Sequence, residues 1–225
     1  MEVKTIAALV PMRHHSERVP GKNYRELAGK PLFHYIIETL MNVEKISKIV
    51  VDTDSPVITE DLRNNYPDVI IIDRPQHLIG DSVPMNEILL HDCSLVPADL
   101  YLQTHSTNPL LTVETVTKAI NALLVQYPAY DSLFAATRVQ VRLWDALARP
   151  LNHNPNILLR TQDLPPVYAE NSCLYLFTRK ILEERHNRIG HRPYLFEMDQ
   201  EEAWDIDEEL DFKIVESLIL GRAEI

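Results

Sequence analysis

The architecture of this chain is set by residues 5–40, which read TIAALVPMRHHSERVPGKNYRELAGKPLFHYIIETL. The pattern predicts an apolar strand over residues 5–10, a basic loop, and a helix over residues 31–41 with proline in its first turn. Farther along, short apolar runs alternate with amphipathic segments, which is typical of a mostly parallel sheet covered by helices. The sequence therefore predicts an α/β fold whose ligand binds at the carboxyl ends of the strands.

The loop between the first strand and the first helix concentrates positive charge. Its basic residues are Arg13, Arg18, Lys22 and Arg25. Several N–H donors in one loop suit a polyanionic phosphate, because they can meet several oxygens without moving. The Gly21-Lys22 pair does not make a P-loop, which requires glycine where Ser16 stands and Ser or Thr where Asn23 stands. We favour a phosphate-binding loop of another kind over a solvated surface loop.

The overall charge and hydropathy exclude some partners. The 225-residue chain has a formal net charge of −11, whereas nucleic-acid binders usually present a basic face, so we expect no nucleic-acid partner. A small anion can still bind, because the local field in a cleft matters more than net charge. No apolar run approaches the roughly 20 residues that span a bilayer, and the N-terminus lacks a signal-peptide pattern. We therefore expect a cytoplasmic protein that does not contact membranes.

Two acidic motifs are candidate metal sites. In Asp205-Ile206-Asp207, an extended backbone would point both aspartates to one side, and hard oxygen ligands suit Mg²⁺. The alternative is that these acids form the first turn of the last helix; we favour the metal role, since Ile206 has the character of a core residue. The motif Asp52-Thr53-Asp54 is followed by Ser55 and Pro56, which is ordinary chemistry for the start of a helix. We favour a structural role there.

Residues 137–166 differ in character from the rest of the chain. They contain short alternating segments and turn-prone asparagines, and they end at Pro165-Pro166. We expect them to form an inserted arm in one α/β domain that comprises residues 1–136 and 167–225. From the residues alone, both a subunit contact and a plain surface excursion remain open for this arm.

Three segments stand out together: ALVPMRHHSERVPGKN at residues 8–23, YAENSCLYLF at 168–177 and AWDIDEELDFKIVESL at 203–218. They resemble, in that order, the basic loop, the Asn-containing strand and the paired-aspartate end of the acylneuraminate cytidylyltransferase family, which includes the CMP-sialic acid synthetases. DRPQHLIGDS at 73–82 and LQTHSTNPLLT at 102–112 also match in order. The resemblance covers nearly the whole chain.

The resemblance implies a Rossmann-like nucleotide-diphospho-sugar transferase fold, with a small dimerisation arm and hence a homodimer. It implies transfer of CMP from CTP to the anomeric hydroxyl of a sialic-acid-like 2-keto-3-deoxy sugar acid, with release of pyrophosphate. By position, Arg13 and Lys22 would act in catalysis by holding the triphosphate, and Asp205 and Asp207 would bind Mg²⁺. The implied substrate-binding residues are Asn23, Arg74, Asp81 and Ser82 around the nucleotide, and Gln103 and Asn171 facing the sugar or the nucleotide–sugar junction.

Several alternatives stay open. An octulosonate-type acid remains possible as the acceptor, because Leu111 stands where the family commonly has arginine. The carboxylate of a sugar acid calls for a basic partner, and the arm offers Arg138, Arg142 and Arg160. No residue stands out as a general base. Two other classes of function are a metal-dependent glycosyltransferase that uses Asp52-Thr53-Asp54 and a non-catalytic nucleotide-binding homologue.

Overall fold

The computed structural model describes residues 5–80 and 82–223. The strands are β1 (Ile6–Leu9), β2 (Glu26–Leu27), β3 (Lys30–Pro31), β4 (Lys48–Thr53), β5 (Ile70–Asp73), β6 (Leu100–Thr104), β7 (Ser132–Val139), β8 (Val167–Phe177) and β9 (Pro193–Glu197). The α-helices are α1 (Leu32–Met41), α2 (Pro56–Asn65), α3 (Met85–Leu95), α4 (Val113–Gln126), α5 (Arg179–Arg185) and α6 (Glu209–Ala223).

Seven strands form one sheet in the order β5-β4-β1-β6-β8-β7-β9, and β2 and β3 form a small separate hairpin. Parallel pairing joins β5, β4, β1 and β6, and it also joins β7 and β9, whereas β8 runs antiparallel between β6 and β7. This mostly parallel sheet with its helices confirms the predicted α/β class.

The helices cover both faces of the sheet, and α2 and α4 begin at capping residues that the sequence predicts. Ser55 caps α2 by accepting a hydrogen bond from the Ile58 N–H, and Thr112 caps α4 by accepting one from the Thr115 N–H. The apolar faces of α1, α2 and α4 contribute to one large buried cluster. Residues of α3 and α5 contribute to a second cluster on the strands β1, β6 and β8. Burial of these apolar faces is the main favourable contribution to the fold.

Three differences from the sequence pattern concern the later strands. β8 begins at Val167 rather than near residue 173, because its first residues pair with the end of β7. β9 has no counterpart among the predicted strands. All five of its residues are at least partly exposed, so they lack the alternation of buried and exposed side chains that marks a half-buried strand. β7 also continues to Val139, three residues into the segment predicted as the arm, which leaves the arm proper between the paired ends of β7 and β8.

A third apolar cluster fixes the segment that precedes α6. Ile206 is fully buried, as its place between two aspartates predicts, and it packs with Val19 and Leu27 from the basic loop and with Phe212 from α6. The backbone at residues 205–207 is irregular rather than a strand. It is held by the Ile206 N–H, which donates to the Thr107 carbonyl at 2.9 Å. The acidic motif is therefore attached directly to the loop after β6.

No helix within residues 5–80 and 82–223 combines the length and the apolar character needed to cross a bilayer.

Candidate active site

A cleft of about 650 Å³ lies at the edge of the sheet where the parallel strands end. Three of its residues follow the carboxyl ends of strands: Arg13 follows β1, Arg74 follows β5 and His105 follows β6. β8 runs in the opposite direction, and its bulge brings Ser172 to the same edge. The cleft lies where ligands bind in open α/β sheets.

The structure brings most of the sequence-predicted site residues to this cleft. It is lined by Arg13, Lys22, Asn23, Arg74, Asp205 and Asp207. Ser82 is exposed beside the cleft residues Gly80 and Val83 and does not itself line the cleft. Gln103 is fully buried behind it, and Asn171 adjoins the cleft residue Ser172. Asp81 lies outside the described residues. The functional roles of all these residues remain predictions.

The basic loop and the acidic motif contact each other across the cleft. The Lys22 ammonium donates to the Ile206 carbonyl at 2.6 Å and lies 3.5 Å from Asp207 Oδ1. Arg18 donates to the same Asp207 oxygen at 2.7 Å. The Lys22 side chain is only 12% exposed, so its charge is weakly screened by water. Cations and carboxylates are thus already assembled where a charged ligand would bind.

Two local features hold the basic loop in shape. Gly21 adopts a left-handed conformation with φ 67°, and a Cβ at this position would lie 2.9 Å from the Tyr24 ring. Asn23 is buried, donates to the Arg13 carbonyl at 2.7 Å and accepts from the Ser106 hydroxyl at 2.8 Å. The Asn23 amide therefore ties the loop after β1 to the loop after β6, and it leaves Arg13 and Lys22 on the cleft wall.

The paired aspartates fit a divalent cation that is shared with a substrate. Asp205 Oδ1 is buried and has no hydrogen-bond partner among the described residues, and burial raises the pKa of Asp205. Asp207 is exposed to the cleft beside Arg18 and Lys22. Residues 5–80 and 82–223 contain no group of three or more His, Cys, Asp or Glu able to hold a metal. An ion here would take its remaining ligands from water and phosphate, as Mg²⁺ commonly does.

The second acidic motif makes structural contacts, in agreement with the interpretation favoured above. Asp52 is fully buried and accepts a hydrogen bond from Arg74 Nε, while Arg74 Nη2 donates to the Asp52 carbonyl at 3.1 Å. Asp54 accepts from the His14 N–H at 2.7 Å. Neither aspartate lines the cleft within the described part of the chain. Asp52 instead orients Arg74, which does line it.

Three cleft residues were not assigned a role from the sequence. His105 is half-buried, and its burial, together with the charges of Arg188 and Lys22, lowers the pKa of the imidazole to about 4. Ser172 has φ 59° in the β8 bulge, where the residues between Glu170 and Tyr175 lie opposite Ala135 alone. Arg188 comes from the loop after α5. His105 and Ser172 lie within two of the family-like segments, at 102–112 and 168–177, which is a sequence signal for these two residues. Arg188 lies outside the family-like segments.

Gln103 connects two of these residues. Its Oε1 accepts a hydrogen bond from Arg188, and its Nε2 lies 3.0 Å from His105 Nε2 and also donates to the Thr104 carbonyl at 3.0 Å. The Gln103 amide is therefore occupied by protein contacts. In this arrangement it orients His105 and Arg188, both of which line the cleft.

An α/β sheet with a basic loop that faces paired aspartates is suited to a nucleotidyltransferase, because cations and carboxylates for phosphate and a metal ion meet in one cleft. Residues 7–220 match the sequence profile of the Cytidylyltransferase family, and the chain belongs to that family. The chain is 26% identical to N-acylneuraminate cytidylyltransferase A of Danio rerio over 96% of its own length and 51% of that protein, so it spans about half of the fish relative. It is 24% identical to pseudaminic acid cytidylyltransferase of Campylobacter jejuni, over 91% of its own length and 92% of that protein.

The fold is also similar to that of a solved CMP:2-keto-3-deoxy-manno-octonic acid synthetase in complex with CTP. The TM-score is 0.73 at 15% identity, and the match covers 97% of this chain and 99% of the other. These comparisons confirm the predicted family and the nucleotide-diphospho-sugar transferase fold.

Proposed function

We propose that this protein transfers CMP from CTP to the anomeric hydroxyl of a sialic-acid-like 2-keto-3-deoxy sugar acid and releases pyrophosphate. The observation that carries this proposal is the contact of Arg18 and Lys22 with Asp207, which brings phosphate-binding cations and metal-binding carboxylates into one cleft. The names of the two sequence relatives support a nine-carbon acid as the acceptor. The name of the structural relative keeps an octulosonate-type acid as the alternative.

The chemistry follows from the charges in the cleft. The anomeric oxygen would attack the α-phosphorus of CTP in line with the departing pyrophosphate, a reaction that depends mainly on positioning and charge neutralisation. Arg13 and Lys22 would hold the triphosphate and stabilise the charge that grows on the leaving pyrophosphate. Mg²⁺ held by Asp205 and Asp207 would neutralise further phosphate charge when bound. Arg74, oriented by Asp52, would contact the nucleotide.

We also propose that the protein acts as a homodimer through the arm. Within the arm, an isolated antiparallel bridge joins Trp144 to Pro150. It exposes large apolar side chains, with Leu147 at 73%, Leu151 at 63% and Leu158 at 91% exposure. Exposed apolar groups concentrated in one segment are typical of protein–protein contacts.

The test is an assay of pyrophosphate release with CTP, Mg²⁺ and a panel of acids: N-acetylneuraminate, pseudaminate and 3-deoxy-manno-octulosonate. We expect release with at least one acid, no release without an acid, and a large preference for CTP over UTP. Chelation with EDTA should abolish the reaction, and added Mg²⁺ should restore it. CTP binding without pyrophosphate release for every acid would contradict the proposal and favour a non-catalytic nucleotide-binding protein.

A further inference from the structure

Arg188 reaches the cleft from the loop that follows α5, and its guanidinium is held in place by two buried side chains. The guanidinium carbon lies 3.8 Å from the centroid of the Tyr175 ring, and Nη1 donates to Gln103 Oε1. Both Tyr175 and Gln103 are at most 1% exposed. A guanidinium stacked on an aromatic ring and bonded on one edge is preorganised to bind a planar anion with its remaining donors.

Among the residues that the structure describes, the charge of Arg188 has no acidic ion-pair partner. No carboxylate within residues 5–80 and 82–223 lies within ion-pair distance of it, and its buried Nε has no hydrogen-bond acceptor there. Glu170, the acid whose charge acts on it, accepts a hydrogen bond from the Tyr175 hydroxyl instead. Burial lowers the pKa of Arg188, which means that its surroundings disfavour the charged form. A bound anion would offset that cost.

The sheet order separates Arg188 from the residues expected to hold the nucleotide. Arg74 follows β5 at one end of the row β5-β4-β1-β6-β8, and the basic loop follows β1 in the middle. Arg188 contacts Gln103 of β6 and Tyr175 of β8, at the other end of this row. With nucleotide at the β5 end and phosphates at the basic loop, the acceptor would occupy the part of the cleft next to Arg188.

The basic residues of the arm are less suited to the same role within one chain. Arg160 forms two hydrogen bonds with Asp163 at 2.7 and 3.0 Å. Arg138 donates to the Gln140 side chain, and Arg142 donates to the Leu159 carbonyl. All three are occupied inside or beside the arm, and among the described residues that line the cleft the arm contributes none.

We propose that Arg188 binds the carboxylate of the acceptor sugar acid and thereby selects acids over neutral sugars. Gln103 and Tyr175 are positioning residues that hold the guanidinium in the cleft. This inference rests on the proposed cytidylyltransferase function, and it adds the residue that recognises the acid group.

The test compares an acid with its methyl ester in the wild type and in Arg188→Met, which preserves much of the side-chain length but removes the charge. The probe is the best acceptor of the panel and the methyl ester of the same sugar. The wild type should prefer the acid by about 10- to 100-fold in kcat/KM, the usual range for a hydrogen-bonded charge pair. Arg188→Met should lose most of that preference through a higher KM for the acid, with CTP affinity within about twofold of wild type.

Matched variants make the result decisive. Arg185→Met removes an exposed arginine at the end of α5, outside the cleft, and should keep the wild-type preference. Arg188→Lys should keep part of the preference, and it replaces Arg188→Met if that variant fails to bind CTP. An unchanged preference in a CTP-binding Arg188→Met would overturn the assignment while the proposed function stands. A wild type that releases no pyrophosphate with any acid would overturn both.

Discussion

Lys22 shows how one side chain in this cleft serves both structure and reaction. Its ammonium donates to the Ile206 carbonyl and lies beside Asp207, yet the side chain remains open to the cleft. A ligand phosphate could therefore reach the same ammonium without a rearrangement of the loop. The loss of this charge should affect the reaction much more than the fold.

We predict that Lys22→Met lowers kcat/KM for pyrophosphate release by about 10²- to 10³-fold, the usual effect of removing one preorganised donor to a developing charge. The free energy of unfolding should fall by only about 1–2 kcal/mol, because one hydrogen bond to a carbonyl is lost. Steady-state kinetics and urea denaturation measure the two effects. Lys118→Met, which removes an exposed lysine of α4, is the control and should change neither. Near-normal turnover of Lys22→Met would remove Lys22 from the site.

At the level of elements, β8 connects the cleft to the arm. The bulge in β8 turns Ser172 into the cleft, while the first residues of β8 pair with β7 and lead directly out of the arm. The arm exposes Leu147, Leu151 and Leu158. Because water solvates these side chains poorly, a second copy of the chain would gain by covering them.

We predict that replacing Leu147, Leu151 and Leu158 together by serine converts a dimer into a monomer in sedimentation velocity. The unfolding of the domain should change little, since these side chains are largely exposed in the single chain. Val125→Ser on α4 is the matched control, because Val125 is 81% exposed on the main domain. A wild type that sediments as a monomer, or a triple variant that stays dimeric, would contradict a dimer built by the arm.

At the level of the whole molecule, a buried charge cluster makes the stability depend on pH. Asp52 and Asp92 are both buried near Arg74, with their carboxyl groups within hydrogen-bonding reach of each other. Burial and the neighbouring Asp52 carboxylate raise the pKa of Asp92 to about 9. Because one arginine cannot compensate two buried carboxylates, Asp92 keeps its proton in the folded protein at neutral pH.

A raised carboxyl pKa means that the folded state binds one proton more than the unfolded state between about pH 4 and about pH 9. The stabilising contribution is thus complete below pH 4 and is lost as the pH rises through 9. We predict that the wild-type free energy of unfolding falls by about 1 kcal/mol per pH unit from pH 6 to 9. In Asp92→Asn this slope should be nearly absent.

Urea denaturation at several pH values measures this slope. Asp68→Asn, at an exposed position before β5, should keep the wild-type slope. A wild-type slope in Asp92→Asn would show that Asp92 is ionised in the folded protein. We also expect Asp92→Asn to be more stable than the wild type at pH 8, because the asparagine amide is neutral without binding a proton.

The features of this protein that can be predicted from its sequence are those determined by residues close together along the chain. Apolar periodicity and capping residues predict the helices that begin after Ser55 and Thr112, because these signals act within one turn. The same is true of the buried Ile206 between Asp205 and Asp207. The resemblance to the acylneuraminate cytidylyltransferase family also implies that the basic loop and these aspartates belong to one site, although Arg18 and Asp207 are 189 residues apart.

Other features depend on which strands are neighbours, and alternating patterns do not encode that order. The contact between Gln103 and Arg188 joins residues 85 positions apart through the adjacency of β6 and β8. The burial of Asp92 beside Asp52 similarly requires α3 to pack against β4. Local propensity and motif chemistry are short-range properties of the chain, so they predict the elements and the phosphate loop. The environment of a side chain comes from packing between distant segments, so the acceptor side of the cleft and the protonation of Asp92 emerge only in the folded chain.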